Sequence, residues 1–134
     1  MTIEVGHTAV AEFVVSQADT AEALSIEAVD AFPAVFATSR MIALMELAAA
    51  RLMRPLLQEG ELSVGVMIDA QHTAATPPGL RVHCVATYTG RAGKLYAFDI
   101  EAFDEAGPIG SARHTRAIVS TERLLAGAAK RRPA

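Results

Sequence analysis

The chain has 134 residues, of which 51% are hydrophobic, and its formal net charge is −3. This length suits one domain that buries its apolar surface without disulfide bonds or metal ions. The negative charge argues against a nucleic-acid partner, because such a partner needs a basic stripe. No apolar run reaches the roughly 18 residues that span a membrane. The N-terminal stretch MTIEVGHTAV lacks the features of a signal peptide. We therefore expect no membrane partner.

The single cysteine, Cys84, excludes a disulfide framework within the chain. A lone thiol is typical of a reducing compartment, so we expect a cytoplasmic protein. Cys84 alternates with Val82 and Ala86. This alternation predicts a small buried hydrophobic residue and not a nucleophile.

The first half of the chain predicts a strand, a covering segment and a helix. Residues 8–15 have the pattern of a strand, and residues 17–35 mix small polar, acidic and apolar residues, as a covering segment with a turn or short helix does. Residues 38–53, TSRMIALMELAAARLM, are rich in Ala, Leu and Met and begin with two N-cap candidates, Thr38 and Ser39. This helix lacks a polar stripe, so we expect it to be buried on most sides.

Four strand-like runs follow the helix, separated by the turn signals PPG, GRAG and EAG. They cover residues 62–73, 80–90, 94–104 and 109–120. This order of elements predicts an α+β fold in which a long antiparallel β-sheet wraps around one central buried helix, the hot-dog fold. Such a sheet leaves a face or an edge for a second subunit, so we expect a homodimer.

The domain is expected to end before the basic C-terminal residues AKRRPA. We assign residues 1–125 to a single hot-dog domain. Residues 126–134 are interpreted as a basic tail without fixed structure, because chain ends of this composition usually fray.

Glu46 lies at the centre of the apolar helix, where an ionised carboxylate needs a partner. The nearest cations along the helix are Arg40, six residues back, and Arg51, five residues on. Neither has the spacing of a helical salt bridge. A partner from another element remains possible, and so does a functional carboxylate.

His72 is the second titratable residue that stands out. In the run SVGVMIDAQH, strict alternation places His72 on the side of Val64, Val66, Ile68 and Ala70, with Gly65 and Met67 on the other side. That apolar side should face the helix that carries Glu46. A lone histidine of this kind is often a satisfied core residue, but facing acid and base groups are typical of active sites.

Thr38 adds a hydroxyl group at the helix start, where free backbone N–H groups and the positive dipole end suit a developing oxyanion. The chain has no GxSxG, P-loop or GxGxxG motif, and its four histidines lack metal-ligand spacing. The residues therefore favour acid–base or nucleophilic chemistry with no metal and no separate cofactor.

Residues 32–79 resemble the fluoroacetyl-CoA thioesterase group of hot-dog thioesterases. The resemblance is carried by FATS, by LME on the helix and by HTAATPPG, and it continues more weakly to HTRAIV. It implies that Thr38, Glu46 and His72 act together on an acyl-CoA substrate. Coenzyme A then enters only as part of the substrate.

Four residues are candidates for substrate binding. Phe32 matches a lid aromatic, Gly65 matches a glycine that allows close approach to the strand, and Phe36 belongs to the FATS motif. Arg116 is a candidate cation for the CoA phosphates. Val29, one turn before Phe32, is not aromatic, so the resemblance implies hydrolysis of a small acyl-CoA thioester without naming the acyl group.

Three functions remain open from the sequence. In a thioesterase, Glu46 activates water or attacks the carbonyl itself, His72 assists proton transfer, and Thr38 orients Glu46 or the substrate. In a hydratase or dehydratase, the same pair acts on an enoyl or hydroxyacyl thioester. In a non-catalytic acyl-CoA-binding dimer module, Glu46 and His72 satisfy each other.

Overall fold

The computed structural model describes residues 2–133, which form five β-strands, two α-helices and four short 3₁₀ helices. The strands and α-helices in chain order are β1 (Thr8–Val14), α1 (Thr38–Met53), β2 (Glu61–His72), β3 (Arg81–Ala92), β4 (Leu95–Asp104), β5 (Gly107–Ser120) and α2 (Thr121–Ala129). Within this range, no helix combines the length and the apolar character needed to cross a membrane.

The strands form one antiparallel sheet in the order β1-β3-β4-β5-β2. Helix α1 contacts all five strands, so the sheet curls around it. Residues of α1 and the inner sheet face form the core, including Met41, Met45, Phe98 and Ile100. This architecture confirms the predicted α+β fold with a sheet wrapped around a central helix.

Cys84 lies in this core with no exposed surface, as the alternation predicted. Burial raises the pKa of its thiol to about 12, because the charged thiolate is poorly solvated there. The thiol is therefore protonated at neutral pH, which removes it from the candidates for a nucleophile.

Helix α1 has the predicted bounds, but two expectations about it were wrong. Its N-cap is Ala37, which has no capping side chain, so Thr38 and Ser39 are the first helical residues and not caps. The helix is also not buried on most sides of the protomer, because Ala43 is exposed and Leu47 is 43% exposed. The exposed face of α1 thus carries the apolar Ala43 and Leu47 in its middle, with Arg40 before them and Arg51 after them.

A β-bulge in β2 changes which of its residues face the helix. The pairing with β5 shifts between Gly65 and Met67, and Val66 has no partner in the register. Ser63 and Gly65 therefore point inward with Ile68 and His72, whereas Val66 is 53% exposed. The predicted strict alternation was right for the half of β2 that ends at His72 and wrong for the half before the bulge.

Helix α2 was not predicted. It covers Thr121–Ala129 and is capped by the Ser120 hydroxyl, which accepts the N–H of Arg123. The assigned domain end at residue 125 falls inside this helix, and the assigned tail begins in its last turn. Residue 134 of that tail lies outside the described residues.

Candidate active site

Thr38 and His72 form a hydrogen-bonded pair at the start of α1. Thr38 Oγ1 lies 2.8 Å from His72 Nδ1, which joins the first residue of α1 to the last residue of β2. Because Ala37 is the N-cap and no side chain caps the helix, the first backbone N–H groups of α1 are available beside this pair. The structure thus brings together two of the three residues expected to be catalytic.

The second ring nitrogen of His72, Nε2, is buried and has no hydrogen-bond partner among residues 2–133. Burial lowers the pKa of His72, although the backbone of Ala74 opposes this, so the imidazole is neutral at neutral pH and able to take up a proton. Nearby is a cleft of about 290 Å³ lined by Ala21, Val35, Phe36, Thr38 and His72–Ala75. An unpartnered imidazole nitrogen beside a cleft is suited to a proton transfer with a bound molecule.

Glu46 pairs with Arg116 of β5. Arg116 NH1 donates to Glu46 Oε2 at 3.2 Å, and the side chains are 8% exposed for Arg116 and 41% exposed for Glu46. Glu46 is therefore half-buried and not deeply buried as expected, and its cation comes from another element. Arg116 was expected as a cation for CoA phosphates, but its inward position makes it a partner of Glu46 instead.

Four hydrogen bonds hold the Arg116 guanidinium in place. Its Nε donates to Ser63 Oγ at 3.0 Å and its NH2 donates to the Ser63 carbonyl at 2.9 Å. Its NH1 donates to Glu46 and also to His114 Nε2, at 3.1 Å. Burial lowers the pKa of Arg116 and the Glu46 carboxylate opposes this; arginine remains charged in proteins. The carboxylate thus faces a fixed positive charge.

Gly65 lies directly against Glu46. A Cβ atom at this position would be 2.5 Å from Glu46 Oε2 and 3.2 Å from His114 Cε1. The bulge in β2 turns Gly65 towards α1, and the missing side chain leaves room for the carboxylate beside the strand backbone. The resemblance pointed to Gly65 for substrate approach; the structure adds that it also makes space for Glu46.

Comparison with known proteins identifies the family of the chain. The model of the fluoroacetyl-CoA-specific thioesterase family matches residues 15–122. The chain belongs to this family. The fluoroacetyl-CoA thioesterase of Streptantibioticus cattleyicolor is 43% identical over 103 residues, which cover 77% of this chain and 74% of that protein.

Solved structures of the family and its wider superfamily agree with the fold. A structure of a fluoroacetyl-CoA thioesterase has a TM-score of 0.92 at 38% identity, covering 99% of this chain and 100% of that one. A thioesterase-superfamily protein from Thermus thermophilus has a TM-score of 0.85 at 32% identity, covering 96% and 93%. The hot-dog fold and the thioester-hydrolase class predicted from the sequence are thereby confirmed.

In the protomer of this family member, the three expected catalytic residues form two groups. Among residues 2–133, no hydrogen bond joins Glu46 to Thr38 or His72. Thr38–His72 and Glu46–Arg116 are separate pairs, so the idea that Glu46 and His72 merely satisfy each other is wrong for the protomer.

The two phenylalanines expected to bind substrate lie in different surroundings. Phe36 is 1% exposed, with its ring edge-on to His72 at 6.3 Å between centroids, so it supports the imidazole from the core. Phe32 is 55% exposed, in the covering segment before α1. It is not among the residues that line the cleft beside His72.

Sequence reasoning missed Ser63 and His114. His114 stands two residues before Arg116, so the alternation of β5 already placed both on one face. Ser63 carried no such signal, because the bulge reverses the direction that simple alternation predicts for it.

A larger hollow of about 720 Å³, lined by Asp69, Asp99 and Arg113 among others, holds none of the residues of either pair. Among residues 2–133, no three His, Cys, Asp or Glu side chains are placed to hold a metal ion.

Proposed function

We propose that the protein hydrolyses a short acyl-CoA thioester to the free acid and coenzyme A. The observation that carries this proposal is the Glu46 carboxylate, half-exposed, held by the buried Arg116 and lying against Gly65. A carboxylate oriented in this way can act on a thioester carbonyl that approaches β2. The family name supports the same chemistry.

Glu46 acts at the carbonyl carbon. It either attacks this carbon to give an acyl-glutamyl anhydride, which water then hydrolyses to the free acid and the Glu46 carboxylate, or removes a proton from the water that attacks. Both routes need a charged carboxylate held in one direction, and Arg116 provides the charge and the direction. The thiolate of coenzyme A then leaves, and it needs little help near neutral pH because a thiol like that of cysteine has a pKa of about 8.5.

The Thr38–His72 pair acts at the other end of the bond being broken. The unpartnered Nε2 of His72 is suited to exchanging a proton with water or the leaving sulfur. The uncapped N–H groups at the start of α1 are suited to the negative charge that develops on the carbonyl oxygen. The Thr38 hydroxyl fixes the imidazole through Nδ1.

The active unit proposed here is a homodimer that joins the two groups. Thr38 and Glu46 are eight residues apart on α1, or about 12 Å of axial rise, and among residues 2–133 no hydrogen bond joins their two pairs. Strand β2 is a 12-residue edge strand. Val66 and Met67 on β2 and Leu47 on α1 expose 53%, 44% and 43% of their surface. A second copy that covers this edge would bring its Thr38–His72 pair towards Glu46.

The substrate supplies the only coenzyme in this proposal, and no metal is required. The lone buried Cys84 supports a reducing compartment, the cytoplasm. The acyl group is proposed to be small, as the name of the Streptantibioticus cattleyicolor relative indicates for that protein. Val29, in the covering segment, is 78% exposed, and this aliphatic residue is expected to shape the choice of acyl group.

The test is thiol release from a panel of acyl-CoA esters, from acetyl and fluoroacetyl to medium-chain and aromatic ones. Wild type is compared with Glu46→Gln and with the control Glu59→Gln, which makes the same change on an exposed residue. We expect turnover on at least one small ester, a loss of about 100-fold or more in Glu46→Gln and none in the control. A folded wild type that releases no thiol from any ester would contradict the proposal and favour a binding module.

A further inference from the structure

His114 is a buried titratable residue without a part in the chemistry described above. It is 1% exposed and lies on β5, between the bulge of β2 and the Arg116 guanidinium. Its ring is tilted against Phe98 at 6.3 Å between centroids, and its Cε1 atom lies near Gly65. The charged groups that face it are Arg116 and Glu46.

The two hydrogen bonds of His114 fix its protonation state. Nδ1 lies 2.7 Å from the Met67 carbonyl, which can only accept, so Nδ1 carries the proton. Nε2 lies 3.1 Å from Arg116 NH1, which can only donate, so Nε2 presents its lone pair. The ring is therefore neutral. Burial and the Arg116 charge lower the pKa of His114, in agreement with this geometry, although Met67 and Glu46 oppose them.

Arg116 NH1 carries two hydrogens, and the structure gives each of them a different acceptor. One is directed to Glu46 Oε2 at 3.2 Å and the other to His114 Nε2 at 3.1 Å. Ser63 holds the opposite side of the guanidinium. Without the lone pair of His114, the second NH1 hydrogen would have to seek another acceptor, and the guanidinium would turn relative to Glu46.

We propose that His114 is a positioning residue, whose neutral Nδ1–H imidazole links the β2 bulge to Arg116 and thereby sets the direction of the Glu46 carboxylate. This inference rests on the proposed function, because it assigns His114 to the same reaction. His114 does not act on the substrate. It acts through Arg116.

Two variants separate positioning from a merely structural role. The amide of asparagine sits near the place of Nδ1, so His114→Asn keeps a donor for the Met67 carbonyl and loses the acceptor for Arg116. The amide of glutamine reaches the place of Nε2, so His114→Gln keeps the acceptor for Arg116 and loses the donor for Met67. Each variant loses one buried hydrogen bond, so each serves as the stability control of the other.

We expect His114→Asn to lower kcat about 10- to 100-fold, because small displacements of a reacting group are costly. Its KM should change little, since His114 makes no contact with substrate. His114→Gln should keep most of the wild-type kcat at a similar melting temperature. Crystal structures of both variants should show the Arg116–Glu46 contact lengthened only in His114→Asn.

Equal kcat values in the two folded variants, or a greater loss in His114→Gln, would overturn the inference. The second result would mean that His114 serves only to hold the bulge. If the wild type released no thiol from any ester, the proposed function would fail by itself. The Arg116–Glu46 distance in the two variant structures would then decide separately whether His114 positions the pair.

Discussion

At the scale of single residues, the position of Glu46 depends on the absence of a side chain at Gly65. A Cβ atom there would lie 2.5 Å from Glu46 Oε2, closer than van der Waals contact allows. The atom that must move is the carboxylate end of the flexible Glu46 side chain, so a Cβ atom at this position should cost the folded protein little stability. The displaced carboxylate, however, would turn away from Arg116.

Gly65→Ala is therefore expected to lower kcat about 10- to 100-fold while changing the free energy of unfolding by about 1 kcal/mol or less. Thiol release and urea denaturation measure the two effects. Gly127→Ala in α2 is the matched control, since a Cβ atom there meets nothing within 4 Å and alanine favours helix. Wild-type activity in Gly65→Ala would mean that the carboxylate needs no fixed position.

At the scale of elements, the loop after β2 is attached to two other parts of the chain through Thr76. Its hydroxyl donates to Asp104 Oδ2 at 2.7 Å, at the end of β4, and its carbonyl accepts the N–H of Phe36 at 2.8 Å, just before α1. Thr76 has no exposed surface. This loop therefore fixes the approach of β2 to the start of α1, where His72 meets Thr38.

Thr76→Val keeps the shape and removes the hydroxyl, so we expect a loss of about 1 to 2 kcal/mol in the free energy of unfolding at pH 7. The Thr76 hydrogen bond is the main cause that lowers the pKa of Asp104 below its ordinary 3.8. This stabilisation is present above that value and disappears as the pH falls through the pKa in the folded protein. The difference in the free energy of unfolding between wild type and Thr76→Val should therefore shrink as the pH falls.

Urea denaturation at several pH values measures this difference. Thr73→Val makes the same chemical change on an exposed neighbour and should stay within about 0.5 kcal/mol of wild type. A difference between wild type and Thr76→Val that stays constant down to pH 3 would show that the hydroxyl does not act through the charge of Asp104.

The elements that depend on local sequence were predictable. The run of Ala, Leu and Met gave the bounds of α1, and the turn signals gave strands that begin and end within two residues of those observed. Helix α2 was missed because its small residues and the basic end of the chain resemble a tail. Local patterns of this kind determine whether an element exists, but they give little sign of a short helix held mainly by its cap.

The candidate site was only half predictable, because its pairs depend on register. Thr38, Glu46 and His72 stood out as polar residues among apolar ones. Arg116 did not stand out as the partner of Glu46, because it is 70 residues away in the chain and reaches α1 only through the pairing of β2 with β5. The bulge at Val66 has no marker in the alternation, so the inward direction of Ser63 and Gly65 was missed.

At the scale of the whole molecule, β2 is a long edge strand on which the apolar Val66 and Met67 are exposed. Such an edge pairs readily with another chain unless it is protected. The middle of the exposed face of α1 carries two more apolar residues, Ala43 and Leu47. Both uncovered surfaces lie near Glu46, whereas Thr38 and His72 lie about two helical turns away. In the proposed dimer, the second subunit covers these surfaces and also brings its Thr38–His72 pair to Glu46.

Mixed dimers test this arrangement directly. Glu46→Gln and His72→Ala protomers should each be inactive alone. When the two variants are co-expressed in equal amounts with different tags, half of the dimers contain one copy of each. Each mixed dimer then holds one intact site if Glu46 works with His72 of the partner subunit. Activity should then return to roughly a quarter of the wild-type value per protomer.

The matched control combines Glu46→Gln with Arg116→Gln. Glu46 and Arg116 belong to one pair within a protomer, so a mixed dimer of these two variants has no intact site whichever subunit supplies His72. This mixture should stay inactive. Recovery in the first mixture and not in the second would place the two pairs of each site on different subunits. No recovery in either, with mixed dimers isolated by both tags, would mean that each protomer acts on its substrate with its own Thr38, Glu46 and His72.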